Sequence, residues 1–144
     1  WAPGEHNGTF RGSNPAFVTA CAALDYWQDT QLQDTIGVYS RLIRTALDTL
    51  VAQAFPGTAQ VVGRGLFMGL KFSDPDIASR LAGACLEQGL LVETCGPQSE
   101  VLKLMPPLTI DASTLTLGLE KLQQACLNVL CVHTPTITAL RGIA

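Results

Sequence analysis

The sequence predicts an α/β chain, of the α+β type in the part present, in which two helices precede a compact unit of order β-β-α-β-β-α. Three observations carry this prediction. Apolar residues recur every three or four positions across residues 31–54, as in an amphipathic helix. The segment "QVVGRGLFMGLKF" is β-branched and aromatic around glycines, which is typical of paired strands. Two more short β-rich segments then lie between stretches of helical spacing.

A loop and a buried helix are predicted to open the chain. Residues 1–13 are rich in glycine and polar side chains and predict a loop. Asn14 is a favoured N-cap and Pro15 suits a first helical turn, so a helix to about Trp27 follows. Because this helix is apolar nearly all round, we expect it to be buried against a sheet or a subunit that is missing from these residues.

A long amphipathic helix comes next. Asp29 or Thr30 can cap it, and the Pro56-Gly57 pair ends it after about Ala54. Its apolar stripe steps by three and four and consists of Leu32, Ile36, Tyr39, Ile43, Ala46 or Leu47, Leu50 and Ala54.

The compact unit begins at about residue 56. "QVVGRGLFMGLKF" predicts two strands with a glycine turn or bulge between them. "SDP" then starts a helix to about Gln88, which Gly89 ends. "LLVET" and "VLKLM" predict two further strands, separated by the loop "CGPQSE". Asp111 caps a last helix, whose apolar face carries Leu115, Leu119, Leu122, Cys126 and Val129. Residues 132–144 lack periodicity and predict a loose tail.

Composition excludes several classes of function. The chain is 47% hydrophobic and only 15% charged, which indicates a packed globular protein. Nine basic and twelve acidic residues give a net charge of -3 without a basic block, so no nucleic-acid partner is predicted. The most apolar stretch, "PAFVTACAAL", is shorter than the roughly 20 residues that span a bilayer. We therefore predict no membrane partner, and no signal peptide is visible.

The five cysteines have irregular spacing and form no Cys-x-x-Cys motif. This pattern indicates a reduced, cytoplasmic protein. Cys126, Cys131 and His133 match no zinc spacing, and Cys126 lies on an apolar helical stripe. We expect structural thiols and no metal site.

Two polar features are candidates for binding. The opening segment "GEHNGTFRGSNPAF" places glycines and the Thr9 hydroxyl before a helix N-terminus, a natural anion cradle, although a solvated loop would carry the same pattern. Lys103 in "EVLKLMPPLTI" alternates with apolar neighbours on a short strand. A carboxylate or phosphate partner explains such a lysine, and so does an edge strand with a snorkelling side chain. "GRGLFMG" is followed by a strand rather than a helix, which excludes a dinucleotide fingerprint.

The segments "PGEHNGTFRGSNPAFVTA", "GRGLFMGLKF" and "LKLMPPLTI" occur in an order that resembles the C-terminal part of class III aminotransferases. These are pyridoxal 5'-phosphate enzymes of fold type I. The resemblance covers residues 1 to about 130. It implies that residues 1–55 end the large cofactor domain, that residues 56–131 form the C-terminal small domain, and that residues 132–144 are a tail.

The resemblance also implies roles for single residues. Thr9, helped by the backbone around Gly8 and Phe10, binds the cofactor phosphate held in the other subunit of a homodimer or higher homo-oligomer. Lys103 stands where related enzymes carry an arginine for a substrate carboxylate, and lysine offers a point charge instead of a planar fork. The cofactor-linking lysine lies upstream in the family, so no catalytic residue is expected in these 144 residues.

The implied substrates are amino acids and oxo acids. The resemblance is strongest to the branch that serves ectoine biosynthesis, where an amino group passes from L-glutamate to L-aspartate 4-semialdehyde to give L-2,4-diaminobutyrate. Two alternatives remain. The chain could belong to an aminotransferase acting on ornithine derivatives or 4-aminobutyrate, or it could be a non-catalytic dimerisation or binding module.

Overall fold

The computed structural model describes residues 1–8 and 11–131, except for the side chain of Cys131. The described elements follow the predicted order, with two helices before a β-β-α-β-β-α unit. They are α1 (Asn14–Asp25), α2 (Gln31–Ala54), β1 (Ala59–Arg64), β2 (Phe67–Phe72), α3 (Pro75–Glu87), β3 (Glu93–Cys95), β4 (Val101–Leu104) and α4 (Ala112–Cys131). The chain divides into two compact units, Trp1–Thr35 and Ile36–Ala144. The predicted tail, residues 132–144, lies outside the described residues.

Helix α1 belongs to the first unit. Its N-cap is Ser13, one residue before the predicted Asn14, and Pro15 occupies the first turn as expected. The helix ends at Asp25, two residues earlier than predicted. In the described chain α1 has no buried residue and Phe17 is 52% exposed, so the sheet or subunit expected to cover it stays a prediction. Apolar composition predicts that a helix has a partner, but it cannot say whether that partner is present.

Helix α2 begins where the sequence predicts. The backbone N–H of Gln31 donates to Asp29 Oδ1 at 2.9 Å, and the Thr30 hydroxyl donates to Asp34 Oδ2 at 3.0 Å. Both predicted capping residues therefore bond to the first turn. Most of the predicted stripe packs inward: Ile43, Leu47 and Leu50 are buried, and Ile36, Tyr39 and Ala54 are partly buried against the same core.

The four described strands form one antiparallel sheet of order β1-β2-β4-β3. A two-residue turn joins β1 to β2, and the predicted glycines explain it, because Gly63 and Gly65 have φ of +94° and +60°. The last two strands are shorter than predicted: β3 begins at Glu93 and β4 ends at Leu104.

The last two helices have the predicted ends. Asp74 accepts the backbone N–H of Asp76 at 3.0 Å ahead of α3. Gly89, with φ +70°, follows that helix, and Leu90 N–H closes it on the Cys85 carbonyl at 2.8 Å. Asp111 accepts the Thr114 N–H at 2.8 Å and caps α4 as predicted.

One face of the sheet and the helices of the second unit share a single core. Its buried members are Ile43, Leu47, Leu50, Phe55, Leu66, Met68, Leu70, Phe72, Ala78, Leu81, Cys85, Leu102, Leu115, Leu122, Ala125 and Cys126. Since side chains alternate along a strand, the residues between these positions point to the other side of the sheet, here called the open face. It carries Val62, Phe67, Gly69, Lys71, Glu93, Cys95, Val101 and Lys103. No helix among the described residues combines the length and hydropathy needed to cross a membrane.

Candidate functional site

The open face brings four residues into line across the strands. Val62 pairs with Gly69, Gly69 pairs with Lys103, and Lys103 pairs with Glu93. We call these four residues the cross-strand row. Directly opposed residues of antiparallel strands lie side by side with their side chains on one face. The row therefore runs from an apolar residue, over a glycine, to two charged residues at the β3 edge of the sheet.

Lys103 and Glu93 form an ion pair within this row. Lys103 Nζ donates to Glu93 Oε2 at 2.8 Å, and the two side chains are 20% and 69% exposed. The hydrogen bond from Lys103 lowers the pKa of Glu93, and the same bond raises the pKa of Lys103. Both groups are thus held in their charged forms at neutral pH. The carboxylate partner considered for Lys103 is present and comes from the neighbouring strand.

Gly69 separates the ion pair from Val62. A Cβ atom at this position would lie 2.5 Å from the carbonyl oxygen of Leu102 and 2.9 Å from Val101 Cγ1. The close approach of β2 and β4 therefore requires glycine here. As a result, β2 places no side chain directly opposite Lys103, and the Val101 side chain covers Gly69.

Glu93 and Gly69 were not singled out from the sequence as site residues. The signal for Glu93 lay in the hairpin "ETCGPQSEVLK", where pairing of Cys95 with Val101 across residues 96–100 puts Glu93 opposite Lys103. Identifying it required the register, which only the folded hairpin fixes.

A lysine and a cysteine flank the row. Lys71 lies on the same face and approaches Glu100 at 3.9 Å, with its side chain 46% exposed. Cys95 pairs with Val101 two residues from Glu93, and its thiol is free and partly buried. Beside the Glu93–Lys103 pair, the open face therefore carries a second lysine, Lys71, and the Cys95 thiol.

The opening loop is described only in part, because Thr9 and Phe10 lie outside the described residues. Gly8 is exposed, and its carbonyl accepts the backbone N–H of Arg11 at 3.1 Å. The Arg11 guanidinium donates to His6 Nε2 at 3.0 Å. The described part of the loop thus places a guanidinium beside an exposed glycine, and both group types are common in phosphate sites. The roles of Gly8, Thr9 and Phe10 remain predictions.

Two of the described thiols are structural in character. Cys85 and Cys126 are buried, and burial raises their pKa values to about 11 and about 12. Both are therefore protonated at neutral pH. No group of metal-ligating side chains occurs among the described residues, while Cys131 (side chain) and His133 lie outside them.

Comparison with known proteins identifies the family. The sequence profile of aminotransferase class III matches residues 1–126. A diaminobutyrate–2-oxoglutarate transaminase of Streptomyces anulatus is 50% identical over 123 residues, covering 85% of this chain and 29% of the relative. An enzyme of the same name from Bordetella parapertussis is 41% identical over 144 residues, covering 98% of this chain and 33% of the relative.

The fold agrees with this similarity. The acetylornithine aminotransferase of Elizabethkingia anophelis superposes with a TM-score of 0.69 at 31% identity, covering 89% of this chain and 33% of that structure. The chain thus spans about a third of the length of the proteins that it matches. The profile match extends over most of the sequence, from the opening loop to α4. The chain belongs to the class III aminotransferase family.

Proposed function

We propose that the chain is the C-terminal part of an aminotransferase that moves an amino group from L-glutamate to L-aspartate 4-semialdehyde and releases L-2,4-diaminobutyrate. One observation carries this proposal: relatives named diaminobutyrate–2-oxoglutarate transaminase are 41–50% identical to it. The structural relative named for acetylornithine is only 31% identical, which favours the diaminobutyrate branch over the ornithine branch. A role in ectoine biosynthesis is part of the same proposal.

Pyridoxal 5'-phosphate is the cofactor of this family, and when bound it supplies the electron sink for amino-group transfer. The contribution of this chain is to hold the cofactor phosphate through the backbone at Gly8 and Phe10 and the Thr9 hydroxyl. The exposed Gly8 and the neighbouring Arg11 guanidinium support this role. Lys71 and Lys103 both face glutamates, which suits charge pairing rather than covalent attachment.

The assembly follows from the same proposal. Residues 1–55 end the large cofactor domain, residues 56–131 form the small domain, and the opening loop serves the other subunit of a homodimer or higher homo-oligomer. The apolar helix α1, which has no buried residue, supports a surrounding protein larger than these 144 residues. Free thiols at all four described cysteine side chains support a reduced, cytoplasmic location.

Lys103 is proposed to bind a substrate carboxylate. It is the more shielded member of its ion pair, and a partly desolvated ammonium attracts a carboxylate more strongly than a fully hydrated one. The described helices of the second unit contribute their buried residues to the core on the opposite face of the sheet.

The first experiment tests the activity. The full-length protein, loaded with pyridoxal 5'-phosphate, is supplied with glutamate and aspartate 4-semialdehyde, and diaminobutyrate is measured by mass spectrometry. We expect a higher kcat/KM than with acetylornithine or 4-aminobutyrate. A preference for either of those substrates assigns the chain to another branch. No transamination with any of them supports the non-catalytic module.

The second experiment tests Lys103. In the full-length protein, Lys103→Met is expected to raise the KM for diaminobutyrate about ten- to a hundredfold, the range for losing a charge-assisted hydrogen bond. Lys71→Met, on the same face, is the matched control and should change KM little. Unchanged kinetics together with a lowered Tm would instead make Lys103 a structural residue of β4.

A further inference from the structure

We propose, building on the function proposed above, that the Glu93–Lys103 ion pair binds the zwitterionic α-amino-acid head of the substrate. Lys103 binds its carboxylate and Glu93 binds its ammonium. Glu93 thereby becomes the residue that selects substrates with an α-ammonium group.

The geometry of the pair fits such a head group. An α-amino acid carries its ammonium and its carboxylate on the same carbon, so its two charges lie side by side. Glu93 and Lys103 also present opposite charges side by side, on directly opposed residues with Nζ and Oε2 2.8 Å apart. A zwitterion that lies over the pair in the reverse orientation matches each charge with its opposite.

Both members can bind a ligand while they remain paired. An ammonium group has three N–H donors, and Lys103 uses one of them on Glu93. A carboxylate accepts through two oxygens, and the bond from Lys103 falls on Oε2. The Glu93 side chain is 69% exposed at the edge of the sheet, so a ligand ammonium can reach it.

The rest of the cross-strand row is closed next to Lys103. Gly69 is buried, and Val101 Cγ1 lies 2.9 Å from the place that a Cβ there would take. The ligand is therefore held by its head on the ion pair. Position 69 has to be a glycine because β2 and β4 pack too closely there for a Cβ atom.

Charge explains why Glu93 discriminates. 2,4-Diaminobutyrate and aspartate 4-semialdehyde both carry the α-amino-acid head, with the reacting group at C4. 4-Aminobutyrate has the same reacting amine and the same carboxylate but no α-ammonium. Glu93 attracts the α-ammonium of the first two and has no partner on the third, where its charge opposes the nearby carboxylate.

The test compares two amino donors with the full-length holoenzyme, with 2-oxoglutarate as the acceptor. We expect the wild type to favour diaminobutyrate over 4-aminobutyrate in kcat/KM. Glu93→Gln should lower kcat/KM for diaminobutyrate about ten- to a hundredfold and leave the 4-aminobutyrate value equal or higher. Glu93→Asp keeps the charge and should retain part of the preference. Glu87→Gln, an exposed glutamate on α3, is the control.

Each other outcome overturns the inference in a recognisable way. If Glu93→Gln lowers kcat/KM equally for both donors, Glu93 only holds Lys103 in place. If Glu93→Gln changes neither value while Lys103→Met impairs both, the carboxylate role stands and the ammonium role fails. If neither variant matters in an active enzyme, the site lies elsewhere. If the wild type transaminates no substrate, the proposed function fails as well.

Discussion

Asp111 shows at the scale of one residue how a charge is built into the fold. Its carboxylate accepts the Ser113 hydroxyl, the Thr114 N–H at 2.8 Å and the Thr114 hydroxyl at 2.7 Å. These bonds, the one from Ser113 foremost, hold the pKa of Asp111 well below its usual range. Because the folded-state pKa is depressed, the stabilisation is present above the unfolded value of about 3.9 and disappears as pH falls through the folded value.

A pair of variants tests this linkage in the full-length protein. Asp111→Asn keeps a capping acceptor without the charge, so its Tm deficit relative to wild type should be largest above about pH 4 and shrink at lower pH. Asp111→Ala loses the cap itself and should be less stable than wild type at every pH. Scanning calorimetry between acid and neutral pH measures both. A deficit of Asp111→Asn that grows on acidification would contradict the assigned pKa direction.

Helix α2 shows at the scale of one element how burial differs along a single helix. Its buried residues come from the last three turns, and Ile43 is fully buried while Val38 is 53% exposed. Ile43→Ala should destabilise the full-length protein by about 2–5 kcal/mol, the range for deleting a buried aliphatic side chain. Val38→Ala is the matched control on the same helix. Urea unfolding at a fixed cofactor concentration measures the difference, and equal effects would place Ile43 outside the core.

Elements were largely predictable from sequence because their signals are local. The Asp111 and Asp29 caps, the Gly63 and Gly65 turn and the Gly89 helix end each depend on residues a few positions apart. The Glu93–Lys103 pair joins residues ten apart through hairpin register, and no local pattern specifies that register. The partner of α1 was not predictable for a related reason: apolar spacing describes a helix surface, whereas burial depends on what packs against it.

At the scale of the whole molecule, the opening loop is expected to act between subunits. In the full-length protein, Thr9→Ala should weaken cofactor binding about ten- to a hundredfold if the proposed hydrogen bond to a charged phosphate oxygen is lost. Equilibrium dialysis of pyridoxal 5'-phosphate measures the change.

Mixed dimers then test the direction of the contact. One subunit carries Thr9→Ala, and the other lacks the cofactor-linking lysine. If the loop acts in trans, one site in each hybrid combines an intact lysine with an intact loop and should bind cofactor normally. If every hybrid site is defective in one of the two, the loop serves its own subunit.

The two thiols buried between the sheet and the helices allow opening of the core to be timed by chemical labelling. Cys85 and Cys126 are buried and protonated, so an alkylating reagent reaches them only when α3 and α4 separate from the core. Cys95, on the open face, should be labelled ahead of them. Site-resolved mass spectrometry over time would therefore record how often the core of the second unit opens, without an engineered label. Labelling of Cys85 and Cys126 at the same rate would indicate that both helices open as one cooperative piece.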